Sequence, residues 1–565
     1  MSDTSSPIDI EGPEQSRVDP TLADAGLPPA VGVQSYQVFR ASRAVPEMTD
    51  GRGWTYHHHV DMACWRGRLY VAWNSCEQDE DVWPSRELYS TSTDGIEWPA
   101  PRELFPQGVS TPLRMYFFLA PNGRMLVIAG LRADREDTDE DKKGGIVVRE
   151  IFADHQLGDV FTLRLIGSPP NAAPMFDGSS DGGFVEACRS LLANKIYLEQ
   201  QDRGRLLGER RMKWHNATAW PGGMVPGDDA KWVCGKGFSF FRRTDGTRLG
   251  LCKMGYVTTS IDEGESWAMP VIPPTLVTGK AKVWSQRTAD RRFALVYNPS
   301  RKNRFPLIVV TSDDGVHFRD MRIVQGELPV QRYPGKFRSI GPQYVRGISE
   351  WADDHSREEQ VMWLVYSMSK EDIWVSRVPL PVKADEMRGT IQGFDDWNLY
   401  VPKWASVSVS GGEMRIENRD PHDYVRVTRV FSESDLVKVS FDLLAEQLEQ
   451  VPLEIEFMSK MGARRELRIS SGDLRLAPGE WVSIEIHRDA GQGQCKIMVN
   501  GKIVRDGASD EAGHSVNRIS FRTGAYRNIG GANPVPLESD RPMRPSVYRI
   551  RNFRLEARQS KNFTA

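Results

Sequence analysis

Three consecutive histidines follow a tyrosine at the start of a β-rich run, in the order Tyr56, His57, His58, His59. A histidine side chain can exchange a proton near neutral pH or bind a metal ion. His57 and His59 could bind a metal together, but two ligands are too few and no third is evident. Side chains alternate along a strand, so His58 is expected on the face opposite to His57 and His59, and at least one of the three is expected to be structural. We expect proton transfer by His58 or His59.

Basic residues recur at the equivalent place in later hairpins. When the tight turns of successive hairpins are aligned, Arg114, Lys195 and Lys282 take the position of His58. For any single one of these residues, an ion pair between sheets or a solvated position is an alternative. Nearby residues that could substitute for them, and tyrosines that could act as acids, are Arg189, Arg287, Arg346, Tyr116, Tyr333 and Tyr344. The sequence therefore predicts His58, His59 and Tyr344 as catalytic, with the six basic residues binding substrate.

The elements that would position these residues carry a repeated turn, Ser-x-Asp-(x)-Gly-x-x-aromatic, known as an Asp-box. It occurs at Ser92–Trp98, Ser260–Trp267 and Ser312–Phe318. The Asp carboxylate accepts backbone N–H bonds, the glycine supplies a positive φ and the aromatic ring fills the gap beside the next sheet. Asp262 and Asp314 are 52 residues apart, and Asp94 and Asp262 are 168 apart, which is three steps of 56. This spacing predicts the four-stranded blades of a β-propeller.

Alternating β-rich runs joined by tight turns predict the inner hairpins of six blades. The hairpins are expected at 58–74, 114–130, 195–211, 237–254, 282–298 and 343–369. A seventh blade could lie in the gap 130–195, or be closed by pairing of 35–43 with 372–379. We therefore expect an all-β chain with a six- or seven-bladed propeller at 35–388, where the starts of inner strands converge on one ligand-binding mouth.

The pattern of hydrophobic and polar residues changes on both sides of residues 35–388. Residues 1–34 are rich in Pro, Asp, Ser and Gly and are expected to be a flexible lead or an extended strap. From 393 to 560 shorter alternating runs predict an antiparallel β-sandwich. The run before Asn500-Gly501 and the run after it resemble a strand pair of lectin-like sandwiches of the concanavalin or laminin-G type, and Asn-Gly is a strong hairpin signal.

The segment HHVDMACWRGRLYVAWN (58–74), followed by EDVWPSRELYSTSTDGIEW (80–98), resembles a known family. This family is the sialidase-like propeller polysaccharide lyases, which include ulvan lyases and rhamnosyl-glucuronate lyases. Their first blade has a His-His entry to a Gly-(Lys/Arg)-Leu-Tyr strand. The match spans about 45 residues. His-His-Val stands here in place of the family's His-His-Pro, which leaves open which histidine is functional.

The resemblance implies β-elimination at a uronic acid. A histidine or tyrosine would remove the C5 proton, basic side chains would neutralise the carboxylate, and an acid would assist the departure of the O4-linked sugar. The C5 proton is only weakly acidic until a cation lies on the carboxylate. A lyase acting on a uronate-containing oligo- or polysaccharide is therefore the expected function.

Two alternatives remain open. The first is an exo-acting glycoside hydrolase of sialidase-like fold, which would need an arginine triad, a Tyr-Glu pair and an acidic Asp. The Phe/Tyr-Arg-Ile-Pro entry of sialidases is not found; the nearest text is YQVFRASRAVP at 36–46. The second is a glycan-binding protein without catalysis, since neither an Asp-box nor a sandwich requires turnover.

Composition narrows the partners. With 73 Lys and Arg against 76 Asp and Glu, the net charge is −3 and no basic stripe suggests nucleic-acid binding. The six cysteines are scattered and read as reduced thiols. No secretory signal and no membrane-spanning run are visible, which favours a cytoplasmic protein with no membrane partner. The sequence leaves the oligomeric state open.

An acidic run follows the second predicted strand, at Glu77, Asp79, Glu80 and Asp81. Carboxylate oxygens in this arrangement could bind Ca²⁺. A solvated loop with an internal Asp-Arg pair is the simpler interpretation. No cofactor is expected to be required.

Overall fold

The computed structural model of the chain describes residues 6–559, except 12–17, 20–22, 81, 108–109, 132–143, 167–172, 202–236, 280, 358, 384–388, 448–450, 460–464, 475, 509–513 and 526–539. The chain divides into two compact units. The first comprises residues 1–15, 38–320 and 333–375, and the second comprises 16–37, 321–332 and 376–565. No helix among the described residues is long and apolar enough to cross a membrane.

The strands up to residue 379 are β1 Asp9–Ile10, β2 Gln34–Phe39, β3 Tyr56–Trp65, β4 Arg68–Cys76, β5 Ser85–Ser92, β6 Arg102–Glu103, β7 Ser110–Leu119, β8 Met125–Leu131, β9 Gly144–Ile151, β10 Leu157–Ile166, β11 Ser239–Arg242, β12 Arg248–Leu251, β13 Val257–Ser260, β14 Trp284–Arg287, β15 Phe293–Tyr297, β16 Leu307–Ser312, β17 His317–Gln325, β18 Pro342–Gly347, β19 Val361–Met368 and β20 Asp372–Pro379. Two helices, α1 Gly182–Ala193 and α2 Lys195–Gln200, lie between β10 and β11.

The later strands are β21 Gly389–Gln392, β22 Asn398–Val401, β23 Ala405–Ser410, β24 Glu413–Asn418, β25 Tyr424–Ser434, β26 Leu436–Ala445, β27 Leu453–Met458, β28 Arg465–Ser470, β29 Val482–Asp489, β30 Gln494–Val499, β31 Lys502–Ala508, β32 Val516–Gly524 and β33 Ser546–Arg558.

The first unit contains a β-propeller, but the prediction of six or seven blades is wrong. Within the described residues, four separate sheets stand as blades, with strand orders β3-β4-β5-β6, β7-β8-β9-β10, β11-β12-β13 and β14-β15-β16-β17-β1. The hairpin predicted at 343–369 does form, as β18 and β19, but these strands belong to a larger sheet. The first strand of the hairpin predicted at 195–211 does not form, because 195–200 is helix α2, and the rest of that prediction, 202–211, lies outside the described residues.

Helix α1 occupies the place where the sequence suggested further strands. Asp181 accepts the backbone N–H groups of Gly183 and Phe184, which caps the first turn. Phe184, Cys188 and Leu191 recur at helical spacing and are buried. They pack against apolar residues of β7 to β10, so the helix covers the second blade.

The Asp-boxes form the turns that were expected. In the first box, Asp94 Oδ1 accepts the N–H groups of Ile96 (2.8 Å) and Glu97 (2.9 Å), and Trp98 Nε1 donates to Gly95 O at 3.1 Å. Ser92 Oγ accepts the N–H of Gly95 at 2.8 Å. Each turn joins the end of a third strand to the next segment, so the boxes mark one end of the blades.

Gly95 provides a stability test of the first Asp-box. Its φ is +77°, and a Cβ added there would overlap the ring of Trp363 on β19. We expect Gly95→Ala to lower the free energy of unfolding of the propeller by roughly 3 kcal/mol or more, through backbone strain and overpacking together. Gly123→Ala is the control, because Gly123 has φ +80° with nothing within 4 Å of an added Cβ. It should cost only about 1 kcal/mol in a urea titration, and equal losses would contradict the steric argument.

The second unit contains a β-sandwich. One layer has the order β2-β22-β25-β32-β27-β28 and the other β23-β24-β33-β26-β29-β30-β31, with β21 beside β33. Phe521 on β32 contacts Phe441 on β26 (5.1 Å between ring centroids) and Phe553 on β33 (6.4 Å), so the two layers share an apolar core. Asn500 and Gly501 have φ +48° and +74° and form the predicted turn between β30 and β31.

Candidate active site

Two β-bulges in the first unit bring the predicted catalytic residues together. The pairing of β3 with β4 slips between His58 and Asp61, and that of β18 with β19 slips between Gln343 and Arg346. In each bulge one residue takes a left-handed backbone, His59 at φ +53° and Tyr344 at φ +52°. Such a conformation is costly for a non-glycine residue and is often found at functional sites, where a bulge redirects a side chain.

The bulge overturns the expected alternation of the histidines. The rings of His58 and His59 are neighbours, with centroids 4.5 Å apart, rather than on opposite faces of β3. Both rings approach Tyr344, at 4.4 Å for His58 and 5.4 Å for His59. The predicted catalytic residues His58, His59 and Tyr344 therefore form one cluster.

Tyr344 is the member of this cluster that reaches the surface of the mouth. It is half-buried, whereas His58 is fully buried. Lys253 Nζ donates a hydrogen bond to the Tyr344 hydroxyl at 3.0 Å. Lys282 Nζ and the Arg304 guanidinium carbon lie 4.5 Å and 4.9 Å from the centre of the tyrosine ring. Three cations therefore surround one phenol.

These cations alter the acidity of Tyr344. Burial acts to raise the pKa of the phenol, but the charges of Lys253 and Arg304 and the hydrogen bond from Lys253 outweigh it, so the pKa lies below its ordinary value. An opposite charge within a few ångströms favours the ionised form of an acid. The arrangement stabilises a tyrosine phenolate at the mouth.

His58 lies behind Tyr344 in a neutral state. Its Nδ1 is 2.6 Å from Ser367 Oγ, and its Nε2 makes no hydrogen bond with any residue that the structure describes. Burial, followed by the nearby charges of His59 and Lys370, lowers the pKa of His58 well below its usual value. A fully buried neutral imidazole packed against the tyrosine ring can hold that ring in place.

Glu80 supplies the negative charge of the cluster. Its carboxylate is 3.3 Å from His59 Nε2 and 2.8 Å from Lys370 Nζ. Burial alone would raise the pKa of Glu80, but the hydrogen bond and charge of His59 and the charge of Lys370 lower it far below its usual value. Glu80 is therefore ionised and half-buried at the same mouth.

Four residues of this cluster were not predicted as site residues. Glu80 lies in the loop between β4 and β5, Lys253 between β12 and β13, Arg304 between β15 and β16, and Lys370 between β19 and β20. In an antiparallel blade the inner strand starts at the same end as the loop joining the second strand to the third. The loops between second and third strands therefore lie at the same end as the inner-strand starts. That position in the repeat is the sequence signal by which these four residues could have been found.

The other predicted substrate-binding residues are distributed differently. Lys282 belongs to the cluster, but Arg189 and Lys195 are exposed and form ion pairs with Asp177 (3.3 Å) and Glu265 (3.1 Å). Arg287 lies at the other end of β14 and lines a different cavity. Arg114 is on β7, and its side chain lies outside the described residues.

Arg346 has a structural environment. It is 4% exposed, its Nε is 2.8 Å from Asp61 Oδ1, and its Nη2 donates to Gln201 Oε1 at 2.8 Å. Its guanidinium also lies over the rings of Tyr116 (5.0 Å) and Trp284 (5.3 Å). The remaining candidate acid, Tyr333, is buried, and its hydroxyl accepts the backbone N–H of Arg43 at 3.3 Å.

Removing Arg346 tests this structural interpretation. Arg346→Met would leave the carboxylate of Asp61 buried without its cation, and burial already raises the pKa of Asp61. We expect a loss of about 3–5 kcal/mol in the free energy of unfolding at neutral pH. The loss should shrink at acid pH, where Asp61 takes up a proton. Exposed Arg189→Met should change stability by less than about 0.5 kcal/mol, and similar effects of the two variants in urea titrations would contradict the interpretation.

His57 has a structural role in the core. Its Nε2 is 2.9 Å from Trp54 O, and its Nδ1 accepts the indole N–H of Trp73 at 3.1 Å. Burial lowers the pKa of His57 to about 4. Both ring nitrogens therefore have protein partners, and the ring is a neutral part of the core.

Two members of the acidic run, for which calcium binding was one possibility, are engaged by protein groups. Asp79 accepts the backbone N–H groups of Glu80 and Phe337, at 2.9 Å and 3.2 Å, and that of Lys336. Asp81 lies outside the described residues. Among the described residues, one other group, Cys64 with Asp353 and Asp354, brings possible metal ligands together. A calcium site therefore stays a prediction.

The cluster combines the ionisable phenol of half-buried Tyr344, the three cations around it, and the ion pair of Lys370 with Glu80. The cations can bind a carboxylate group of a ligand through charge-assisted hydrogen bonds. The phenolate can act as a nucleophile or as a base on an atom next to that group.

Two family models match separate parts of the chain. Residues 7–204 match the BT_1020-like N-terminal beta propeller, and residues 397–536 match the sialidase-like CBM domain. The chain thus has a sialidase-like propeller and a sialidase-like carbohydrate-binding domain, and it is similar to carbohydrate-active proteins. A comparison with curated proteins found no match.

A solved structure described as "Sialidase" is similar over 98% of this chain, with 30% sequence identity and a TM-score of 0.84. The chain spans 54% of the length of that protein. A Trypanosoma rangeli sialidase in complex with sialic acid aligns over 95% of this chain and 97% of its own, with 10% identity and a TM-score of 0.35. The resemblance to propeller lyases stays a prediction.

Proposed function

We propose that this chain, with its sialidase-like propeller and sialidase-like carbohydrate-binding domain, is a glycoside hydrolase that releases a carboxylate-bearing sugar, with Tyr344 as the nucleophile. The observation that carries the proposal is the hydrogen bond from Lys253 to the hydroxyl of half-buried Tyr344, which lies among three cations. Tyrosine is the nucleophile in the sialidase class of glycosidases. The cations here differ from the arginine triad of that class, because Lys253 and Lys282 accompany a single arginine, Arg304. The similarity to a structure described as a sialidase also supports a hydrolase.

Each residue around Tyr344 would have its own role in the reaction. Lys253, Lys282 and Arg304 would hold the sugar carboxylate, and Lys253 and Arg304 would favour the ionised form of Tyr344 by lowering its pKa. The phenolate would attack the anomeric carbon, the bond to the linking oxygen would break, and that oxygen would take a proton from water. Glu80, which is ionised, would then remove a proton from the water molecule that releases the sugar from Tyr344. His58 and His59 would hold the tyrosine ring.

A uronate lyase is the second candidate, and one observation favours it. The phenolate of Tyr344 beside three cations is also an arrangement for removing the C5 proton of a uronic acid whose carboxylate those cations neutralise. Complete burial of His58 favours Tyr344 over this histidine as the group that meets the substrate.

Product analysis separates the two reactions. The protein is incubated in ¹⁸O-labelled water with sialyl and uronate oligosaccharides, and the products are weighed by mass spectrometry while ultraviolet absorbance is recorded. Hydrolysis adds one water and places the heavy oxygen in the released acidic sugar, without new absorbance. Elimination gives a conjugated, absorbing product with no heavy oxygen, and that outcome would replace the hydrolase proposal with the lyase.

A further inference from the structure

The inner strands of the propeller have two ends, and a second cavity lies at the end away from Tyr344. His58 and Tyr344 lie near the starts of β3 and β18, and Lys282 lies just before β14. Since these starts converge at one mouth, the ends of the same strands converge at the other. The second cavity is lined there by Arg287 at the end of β14 and by residues 348–350 after β18.

This cavity has the size and lining of a ligand site. Its volume is about 690 Å³, within the range of small-molecule pockets. Phe240 and Trp284 provide aromatic wall, and Gln200, Ser349 and Glu350 provide polar groups. All of these residues belong to the first unit.

Two of the polar groups are buried without a partner among the described residues. Gln200 is 4% exposed and Ser349 is 6% exposed, yet Gln200 Oε1 and Ser349 Oγ make no hydrogen bond with any described residue. Buried polar atoms are nearly always satisfied, so an unpaired acceptor on a residue that lines a cavity indicates a missing donor. A ligand hydroxyl, which both donates and accepts, fits both positions.

The charges of the lining disfavour a strongly ionic ligand. Arg242 is paired with Glu263 at 3.0 Å, and Arg243 Nε donates to Gly315 O at 3.1 Å. Arg243 and Arg287 contribute two positive charges to the lining, and Glu350 and Asp353 contribute two negative ones. Although Glu350 is exposed to the cavity, the surrounding protein raises its pKa, with Arg248 opposing. This differs from the first mouth, where three cations surround Tyr344.

We propose that this second mouth, built from Gln200, Trp284, Ser349 and Glu350, binds an uncharged sugar unit. Its hydroxyl groups donate to Gln200 Oε1, Ser349 Oγ and the Glu350 carboxyl, and its apolar face lies against the aromatic wall of Trp284 and Phe240. The site is separate from the acidic-sugar mouth and does not depend on the reaction that occurs there.

The test measures binding of methyl α-glucoside, methyl α-galactoside, methyl α-mannoside and methyl α-rhamnoside by saturation-transfer NMR and by titration of the full chain. We expect at least one of them to bind the wild-type protein. The double variant Gln200→Met/Ser349→Ala should bind it about 10- to 30-fold more weakly, since it loses two hydrogen bonds. Exposed Ser410→Ala is the control and should bind normally.

Two further readouts keep the test decisive. Tyr344→Phe should leave the affinity unchanged, because the cavity lies at the other end of the strands. Without sugar, the double variant should melt no lower than wild type, since it removes unpaired buried groups. Absence of binding by all four glycosides, binding that the double variant retains, or binding that Tyr344→Phe removes would overturn the proposal.

Discussion

Tyr344→Phe should lower kcat by roughly a thousandfold or more, because removal of a covalent nucleophile leaves only the binding contribution to catalysis. The variant keeps the ring that packs against His58 and His59, so the fold and substrate affinity should change little. The measurement is the rate of sugar release from the substrate found by product analysis, together with the melting temperature. The melting temperature should be slightly below that of wild type, since the hydrogen bond from Lys253 to the Tyr344 hydroxyl is lost.

Tyr297→Phe is the matched control. Tyr297 is fully buried on β15, and its hydroxyl makes no hydrogen bond with a described residue. Burial raises the pKa of Tyr297, in contrast to that of Tyr344, so it stays protonated. The control should retain full activity. Retention of more than about a tenth of the activity by Tyr344→Phe would exclude it as the nucleophile.

Lys253→Met should have the second largest effect. Lys253 lowers the pKa of Tyr344 through its charge and its hydrogen bond, so its removal raises that pKa and reduces the phenolate fraction at neutral pH. We expect activity at pH 7 to fall roughly 10- to 100-fold. Because the loss is in ionisation, activity should recover as the pH rises, and the ascending limb of the pH profile should lie at higher pH than in wild type.

Lys195→Met is the control for this prediction. Lys195 is an exposed lysine on α2 that pairs with Glu265, and removal of an exposed pair has little effect. Its pH profile should overlay that of wild type. A Lys253→Met variant whose activity falls equally at every pH would show that Lys253 binds substrate without controlling the ionisation of Tyr344.

The sequence predicted the regular parts of the fold and missed parts that depend on tertiary packing. Hairpins with a tight turn, such as the one at Arg66-Gly67, formed as expected because turn residues and alternation are local signals. The predicted number of blades was wrong because the residues from Lys195 onward form helix α2 and because β18 and β19 belong to a larger sheet. A strand that enters a shared sheet has the same local pattern as one that forms its own blade.

The candidate site shows a similar division. The histidines and Tyr344 could be selected from their types, but their meeting depends on two bulges in which His59 and Tyr344 have positive φ. Neither residue type signals that conformation, as glycine would. Lys253 and Arg304 could not be ranked above other surface cations, because their function depends on two loops meeting at one mouth. Arg346 was predicted to bind substrate, because the sequence does not show that Asp61 lies beside it and pairs with it.

Peptide mapping can show directly whether Tyr344 forms a covalent bond to sugar, if the protein is incubated with the substrate found by product analysis and quenched rapidly with acid. We expect a peptide containing Tyr344 that carries the mass of one sugar acid, and no such mass increase in Tyr344→Phe. A sugar attached to a different residue, or rapid turnover with unmodified Tyr344 and an absorbing unsaturated product, would contradict it.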